Sequence, residues 1–166
     1  MKAILERCSV RSYTDEKLEK EDIKKILRAG MSAPSACNRQ PWEFIVVEDK
    51  ETLKEMSMLT PYAGMLENAA MGMVIAVNTE NHLNIEYDLQ DCAAATENML
   101  VEANALNIGS CWLGGYPNQD RIENIRKFFS LPEHIMPLWM ISFGHPQEEK
   151  KIKNKWNEDK IHWEKY

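Results

Sequence analysis

The chain lacks most of the features that announce a partner or a compartment, and each absence removes a class of function. No apolar run in its 166 residues is long enough to cross a bilayer. Ala3, Ile4 and Leu5 form the apolar stretch before Glu6, too short for the core of a secretory signal. Both point to a soluble, cytoplasmic protein with no membrane partner. Cationic charge is scarce: 20 Lys and Arg stand against 26 Asp and Glu, a net charge of −6. A nucleic-acid backbone is therefore not the partner, and any phosphate contact has to be local. Cys8, Cys37, Cys92 and Cys111 are scattered, with neither a C-x-x-C pair nor a matching His spacing. That argues against a zinc or cluster site and leaves buried or incidental thiols. There is no G-x-G-x-x-G between a strand and a helix, so a nicotinamide dinucleotide would visit rather than reside. No linker, repeat or low-complexity tract divides the chain, and 44% hydrophobic residues suit one domain around one core.

What is present reads as alternating helices and strands. Leu18, Ile23, Ile26, Leu27 and Met31 recur at helical spacing, with Gly30 and Pro34 as stop signals. Trp42 to Val47 and Met71 to Val77 are rich in β-branched and apolar residues and predict strands, with short helices at Glu51 to Met58 and Tyr62 to Asn68 between them. Leu89, Cys92, Ala93, Thr96, Met99, Leu100 and Ala103 mark one face of a long helix over residues 87–106, with Asn107 and Gly109 to end it. Gly109 to Pro117 predicts a short strand entering a glycine turn, Arg121 to Phe129 a helix and Pro137 to Gly144 a buried strand. The charged stretch 147–166 predicts a surface tail. His82, His134, His145 and His162 have no Ser or Cys partner at a recognisable spacing and are expected at the surface.

Two segments near the N-terminus carry chemistry. Arg7-Cys8-Ser9-Val10-Arg11-Ser12-Tyr13 brackets a hydroxyl with two guanidiniums, a multidentate arrangement suited to a phosphate. Pro34-Ser35-Ala36-Cys37-Asn38-Arg39-Gln40-Pro41 is a rigid polar turn whose amides and backbone groups can bind the edge of a planar heterocycle. Phosphate at one end and heterocycle at the other describe a mononucleotide. Taken singly, an Arg pair is usually a solvated face and Gln40-Pro41-Trp42 could merely open a strand. It is the pair, in this order, that informs. Further on, Leu113-Gly114-Gly115 lies at a strand end, where absent side chains let a flat ligand approach the backbone.

Together these segments resemble the FMN-binding signature of the nitroreductase family, and the resemblance extends from Arg7 to Trp163. It implies an α+β fold, a mixed and mainly antiparallel sheet flanked by helices, in an interlocked homodimer. The single domain 1–166 would send its tail, 147–166, across to the partner subunit. In that family Arg7, Cys8, Ser9 and Arg11 would be the phosphate and ribityl contacts, assisted by Lys153 and Lys155. Pro34, Ser35, Ala36 and Asn38 would come from the other subunit, and Leu113, Gly114 and Gly115 would lie beside flavin N5. The implied activity is that of an FMN-dependent oxidoreductase taking a hydride from NADH or NADPH and passing it, by a ping-pong cycle, to a nitroaromatic, quinone or flavin acceptor. Flavin N5 would carry the chemistry, with no protein side chain as catalyst and no metal. Two other classes stand beside it: a non-catalytic flavin-binding or sensing dimer, and a cofactor-free scaffold whose Arg pair is only surface.

Overall fold

Four runs of β-branched, aromatic and methionine residues pair into one sheet. The computed structural model describes residues 1–149 and 151–166. In it β1 (Trp42–Val47), β2 (Met71–Asn78), β3 (Gly109–Gly114) and β4 (Ile135–Gly144) lie in the order β1-β2-β4-β3. Every neighbouring pair is antiparallel. The parallel component of the expected mixed sheet is a single bridge from Ser9, outside the four strands, to Ser110 of β3.

The central strands β2 and β4 are buried on both faces, and the two-residue period sorts their side chains into two layers. Met73, Ile75 and Val77 join Ile141 and Phe143 against α2 (Lys20–Met31) and α4 (Ile85–Ala105), with Ile26 and Met99 in the same cluster. Val74 and Met140 point the other way, into a second cluster with Leu53 and Met56 of α3 (Lys50–Met56) and Ile125 of α5 (Gln119–Phe128). A short α1 (Lys2–Leu5), unmarked by any periodicity, precedes the arginine segment.

Gly30 does not end α2. The helix runs through it to Met31, and a Cβ there would meet Met99 Cγ at 2.8 Å. The missing side chain permits close approach of α2 and α4, a packing role that outweighs the glycine's low helix propensity. Residues 62–68, expected to be helical, form a 3-10 turn over Gly64–Asn68. No helix among the described residues is long and apolar enough to cross a membrane.

Candidate active site

The arginine segment is laid along the open edge of β3. Val10 N–H donates to the Ser110 carbonyl at 2.9 Å, and Gly109 leaves room for it, since a Cβ there would press on the Val10 side chain at 2.8 Å. Tyr13 pins the segment's end: its buried hydroxyl donates to the Val10 carbonyl at 2.6 Å and lies 2.8 Å from Ser142 Oγ. Burial holds that phenol well above its ordinary pKa, so it stays a neutral donor. Beyond it, Thr14 N–H donates to the His145 carbonyl at 2.9 Å, and Gln147 N–H donates to the Ser12 carbonyl at 3.0 Å. These bonds fasten the start of the tail to the arginine segment.

The consequence is a cationic cavity of about 300 Å³ lined by Arg7, Cys8, Ser9, Arg11, Lys151, Lys153 and Lys155. The structure thus brings together residues separated by more than a hundred positions. The charged and hydroxyl residues of the lining recur at every second position, 7, 9, 11 and 151, 153, 155, the period at which an extended chain returns a side chain to one side, and Cys8 joins them from between. Sequence reasoning missed Lys151, although the same alternation would have included it; Lys150 lies outside the described residues. Arg7 is held by Glu97 of α4, with Nε 3.2 Å from a carboxylate oxygen. Beneath the cavity, Cys111 is buried. Burial pushes its pKa up despite the pull of Arg11, Ser9 and Arg7, so it remains a thiol.

The polar turn sits elsewhere on α4. Ala36 N–H donates to both carboxylate oxygens of Asp91, at 3.0 and 3.1 Å, and Gln40 N–H donates to Ser35 Oγ at 2.9 Å. Between these ties the backbone takes left-handed values at Cys37 (φ 52°), Asn38 (φ 54°) and Gln40 (φ 52°). Each costs about 1 kcal/mol or more for a side chain with a Cβ, so such a turn persists only when its surroundings hold it. Pro34 and Asn38 are exposed, and Ser35 and Ala36 half-buried. None of residues 34–38 lines the cationic cavity. Asp91 escaped the sequence analysis. Its signal was a carboxylate on the apolar stripe of α4, which a buried helix face tolerates only for a specific partner. Asp88, one turn earlier and almost wholly buried, bonds His82 Nδ1 at 2.8 Å. Of the four histidines expected at the surface, His162 is exposed and His82, His134 and His145 are half-buried.

At the end of β3, Leu113 is buried, Gly114 exposed and Gly115 buried. A Cβ on Gly114 would meet nothing within 4 Å, whereas one on Gly115 would collide with the Leu138 carbonyl oxygen. Gly114 borders open space, and Gly115 serves the packing of the turn. The Tyr116–Pro117 peptide that follows is cis, and Asn118 Oδ1 caps α5 by accepting from Arg121 N–H at 3.0 Å. The Arg121 side chain returns to the strand end, where Nη1 donates to the Gly114 carbonyl at 3.2 Å and the guanidinium carbon lies 5.1 Å from the centre of the Tyr62 ring. No sequence signal singled out Arg121. Trp112 packs on Trp139 with ring centres 4.8 Å apart, and Trp139 Nε1 donates to Thr96 Oγ1 at 3.0 Å. Trp112 and the buried Trp42 are core residues.

A cationic cavity on one edge of a helix-flanked antiparallel sheet, with an open glycine at the end of the same edge strand, is an arrangement that suits a mononucleotide on an α+β fold. The comparisons name the class. The family model described as "Nitroreductase family" matches residues 4–60 and 57–145. A protein of Archaeoglobus fulgidus, named as a candidate NADH dehydrogenase/NAD(P)H nitroreductase, is 44% identical over 171 residues, covering 100% of this chain and 98% of its own. The structure of an FMN-dependent nitroreductase from Clostridium difficile superposes with a TM-score of 0.92 at 31% identity, over 100% of both chains. That of a candidate nitroreductase from Desulfovibrio desulfuricans in complex with FMN gives 0.86 at 29% identity, over 99% of this chain and 96% of the other. The chain belongs to the nitroreductase family.

Proposed function

We propose that this chain holds FMN, takes a hydride from NAD(P)H and passes it to a small-molecule acceptor, a nitroaromatic, quinone or flavin. Family membership makes it an FMN-dependent NAD(P)H oxidoreductase; the acceptor and the ping-pong order are the proposal. The observation that carries it is the cavity of about 300 Å³ in which Arg7, Ser9 and Arg11 face Lys151, Lys153 and Lys155. The residues present fit the cofactor. Two guanidiniums and three ammoniums suit a phosphate dianion, and the open side of Gly114 leaves room for a flat ring.

When bound, FMN supplies hydride transfer at N5 in two half-reactions that share one pocket. The chain's own residues bind and orient. Arg7, Ser9 and Arg11, with Lys153 and Lys155, would hold the phosphate, and Cys8 lines the same cavity. The Gly114 amide, flanked by Leu113 and Gly115, would lie beside the flavin's reacting edge. Pro34, Ser35, Ala36 and Asn38 complete the site from a second copy of the chain, because in one copy they stand apart from the cationic cavity. Support for that second copy comes from the tail, where Ile152, Trp156, Trp163 and Tyr166 are exposed. Large apolar side chains so placed suit a covering partner. No side chain acts as proton donor or base, so Arg, Lys and amide contacts do all the protein's electrostatic work.

The test is the visible spectrum of purified protein with and without FMN, followed by anaerobic addition of NADH and then NADPH. Bleaching establishes the reductive half-reaction and ranks the donors. A bound flavin that neither donor bleaches means a non-catalytic flavin-binding protein, and failure to bind FMN removes the assignment.

A further inference from the structure

We propose that Arg121 forms an oxyanion-docking subsite at the Gly114 rim, which receives the phosphate or carboxylate of the molecule that exchanges electrons with the cofactor. The inference rests on the assignment of FMN to this chain and deepens it by naming a substrate class. Three observations carry it.

The guanidinium is placed before any ligand arrives. The Gly114 carbonyl accepts from Nη1 at 3.2 Å, and the Tyr62 ring, itself 66% exposed, backs the guanidinium at 5.1 Å. Asn124 Nδ2 of the same helix reaches the Leu59 carbonyl at 3.4 Å, tying α5 to the loop that carries Tyr62. A donor fork held this way loses little freedom on binding.

Its charge is not spent. Among the described residues no carboxylate lies within 4 Å of Arg121, whereas Arg7 has Glu97. One of its five N–H groups goes to Gly114 and the rest have no protein acceptor among the described residues. A half-buried guanidinium of this kind matches the two oxygens of a carboxylate or phosphate.

Its position is distinct from the cationic cavity, whose lining does not include Arg121. A chain of net charge −6 repels anionic visitors, and a local cation at the rim offsets that repulsion where the visitor must stop. Nicotinamide dinucleotides carry phosphates, and many aromatic acceptors carry carboxylates. The chemistry is shared, and the experiment separates the sources.

The experiment loads wild type, R121Q and R121K with FMN and measures Kd for NAD⁺, NADP⁺, 4-nitrobenzoate and neutral nitrobenzene from the change in flavin absorbance. In R121Q, Kd for at least one anionic ligand rises about tenfold while nitrobenzene shifts less than twofold, and R121K recovers part of the loss. A rise for the nucleotides alone assigns the subsite to the donor, and one for nitrobenzoate alone assigns it to the acceptor. Equal losses for anionic and neutral ligands, no change for any of them, or a loss of FMN affinity in R121Q would each overturn the proposal. Wild type that binds no FMN removes the cofactor assignment and the proposal together. Wild type that binds and bleaches normally, beside an R121Q with unchanged Kd values, removes the proposal alone.

Discussion

Removing the Asp91 carboxylate tests whether the polar turn is built from within α4. Asp91 accepts the Ala36 N–H with both oxygens, at 3.0 and 3.1 Å. A hydrogen bond to a charged acceptor contributes about 1.5–3 kcal/mol net. Burial raises the Asp91 pKa, with the Ala36 N–H opposing the rise and the nearby Asp88 charge adding to it. Asp91→Ala should therefore cost about 2 kcal/mol, which for a chain of this size lowers Tm by about 4–8 °C. The left-handed residues Cys37, Asn38 and Gln40 then lose the tie that holds them. If residues 34–38 contact the cofactor, FMN affinity falls about 10- to 30-fold, given tenfold per 1.4 kcal/mol. Asp91→Asn keeps one acceptor oxygen and should cost less than half as much. The pH dependence has a definite sign. The folded pKa lies above the unfolded value of about 3.9, so the neutral carboxyl's contribution is complete below that value and is lost as pH rises through the folded one. Wild type should gain on Asp91→Asn as pH falls from 7 toward 4. The assays are calorimetry of the apo protein and fluorescence titration of FMN. An Asp91→Ala protein with Tm within 1 °C and FMN Kd within twofold of wild type would refute the reasoning, and Asp91→Asn as damaging as Asp91→Ala would refute the acceptor role.

Gly114→Ala should leave the Tm of the apo protein unchanged, because its Cβ meets open space, yet weaken FMN binding; Gly115→Ala, driven into the Leu138 carbonyl, should cost about 1–3 kcal/mol by calorimetry. Tyr13→Phe strands the Val10 carbonyl and Ser142 Oγ, and denaturant titration should show a loss of about 1–2 kcal/mol. Thiol labelling of the native protein should reach exposed Cys37 and half-buried Cys8 but spare Cys92 and Cys111, whose pKa values burial pushes up; labelling of all four at equal rates in native buffer would contradict the structure.

The fold was legible because its periods are clean. β1, β2, β4 and α4 all fall within a few residues of where apolar spacing puts them. Gly30 misled because composition marks a glycine as a stop, whereas its reason here is the Met99 side chain packed against it from another helix. The site divides in the same way. Of the residues that line the cationic cavity, Arg7, Ser9 and Arg11 stood out as a local motif, and Lys153 and Lys155 by resemblance. Asp91 and Lys151 carried weak signals, a carboxylate on an apolar stripe and a place in the alternating lysines, but their partners, Ala36 and the arginine segment, lie far away in sequence; Arg121 gave none, since its place is set by the Gly114 carbonyl and by Tyr62, 59 residues before it. A contact across 55 residues leaves no trace in spacing.

Five cationic side chains, Arg7, Arg11, Lys151, Lys153 and Lys155, line one cavity, in a chain that is otherwise acidic. Two like charges about 8 Å apart repel by about 0.5 kcal/mol in a water-like dielectric and by more against a protein wall. Glu97 relieves Arg7, while Glu148 and Glu149 line the neighbouring cavity beside Arg11 and Lys151. The rest of the repulsion is carried by the anchors at Tyr13, Thr14 and Gln147 that keep the tail against the arginine segment. A dianionic phosphate bound there, as proposed, would reverse the sign of this balance, since each of these cations would then attract it. On the proposed reading, the charges that repel one another along the edge of β3 are the ones that bind the phosphate, and binding stabilises the fold by RT ln(1 + [L]/Kd).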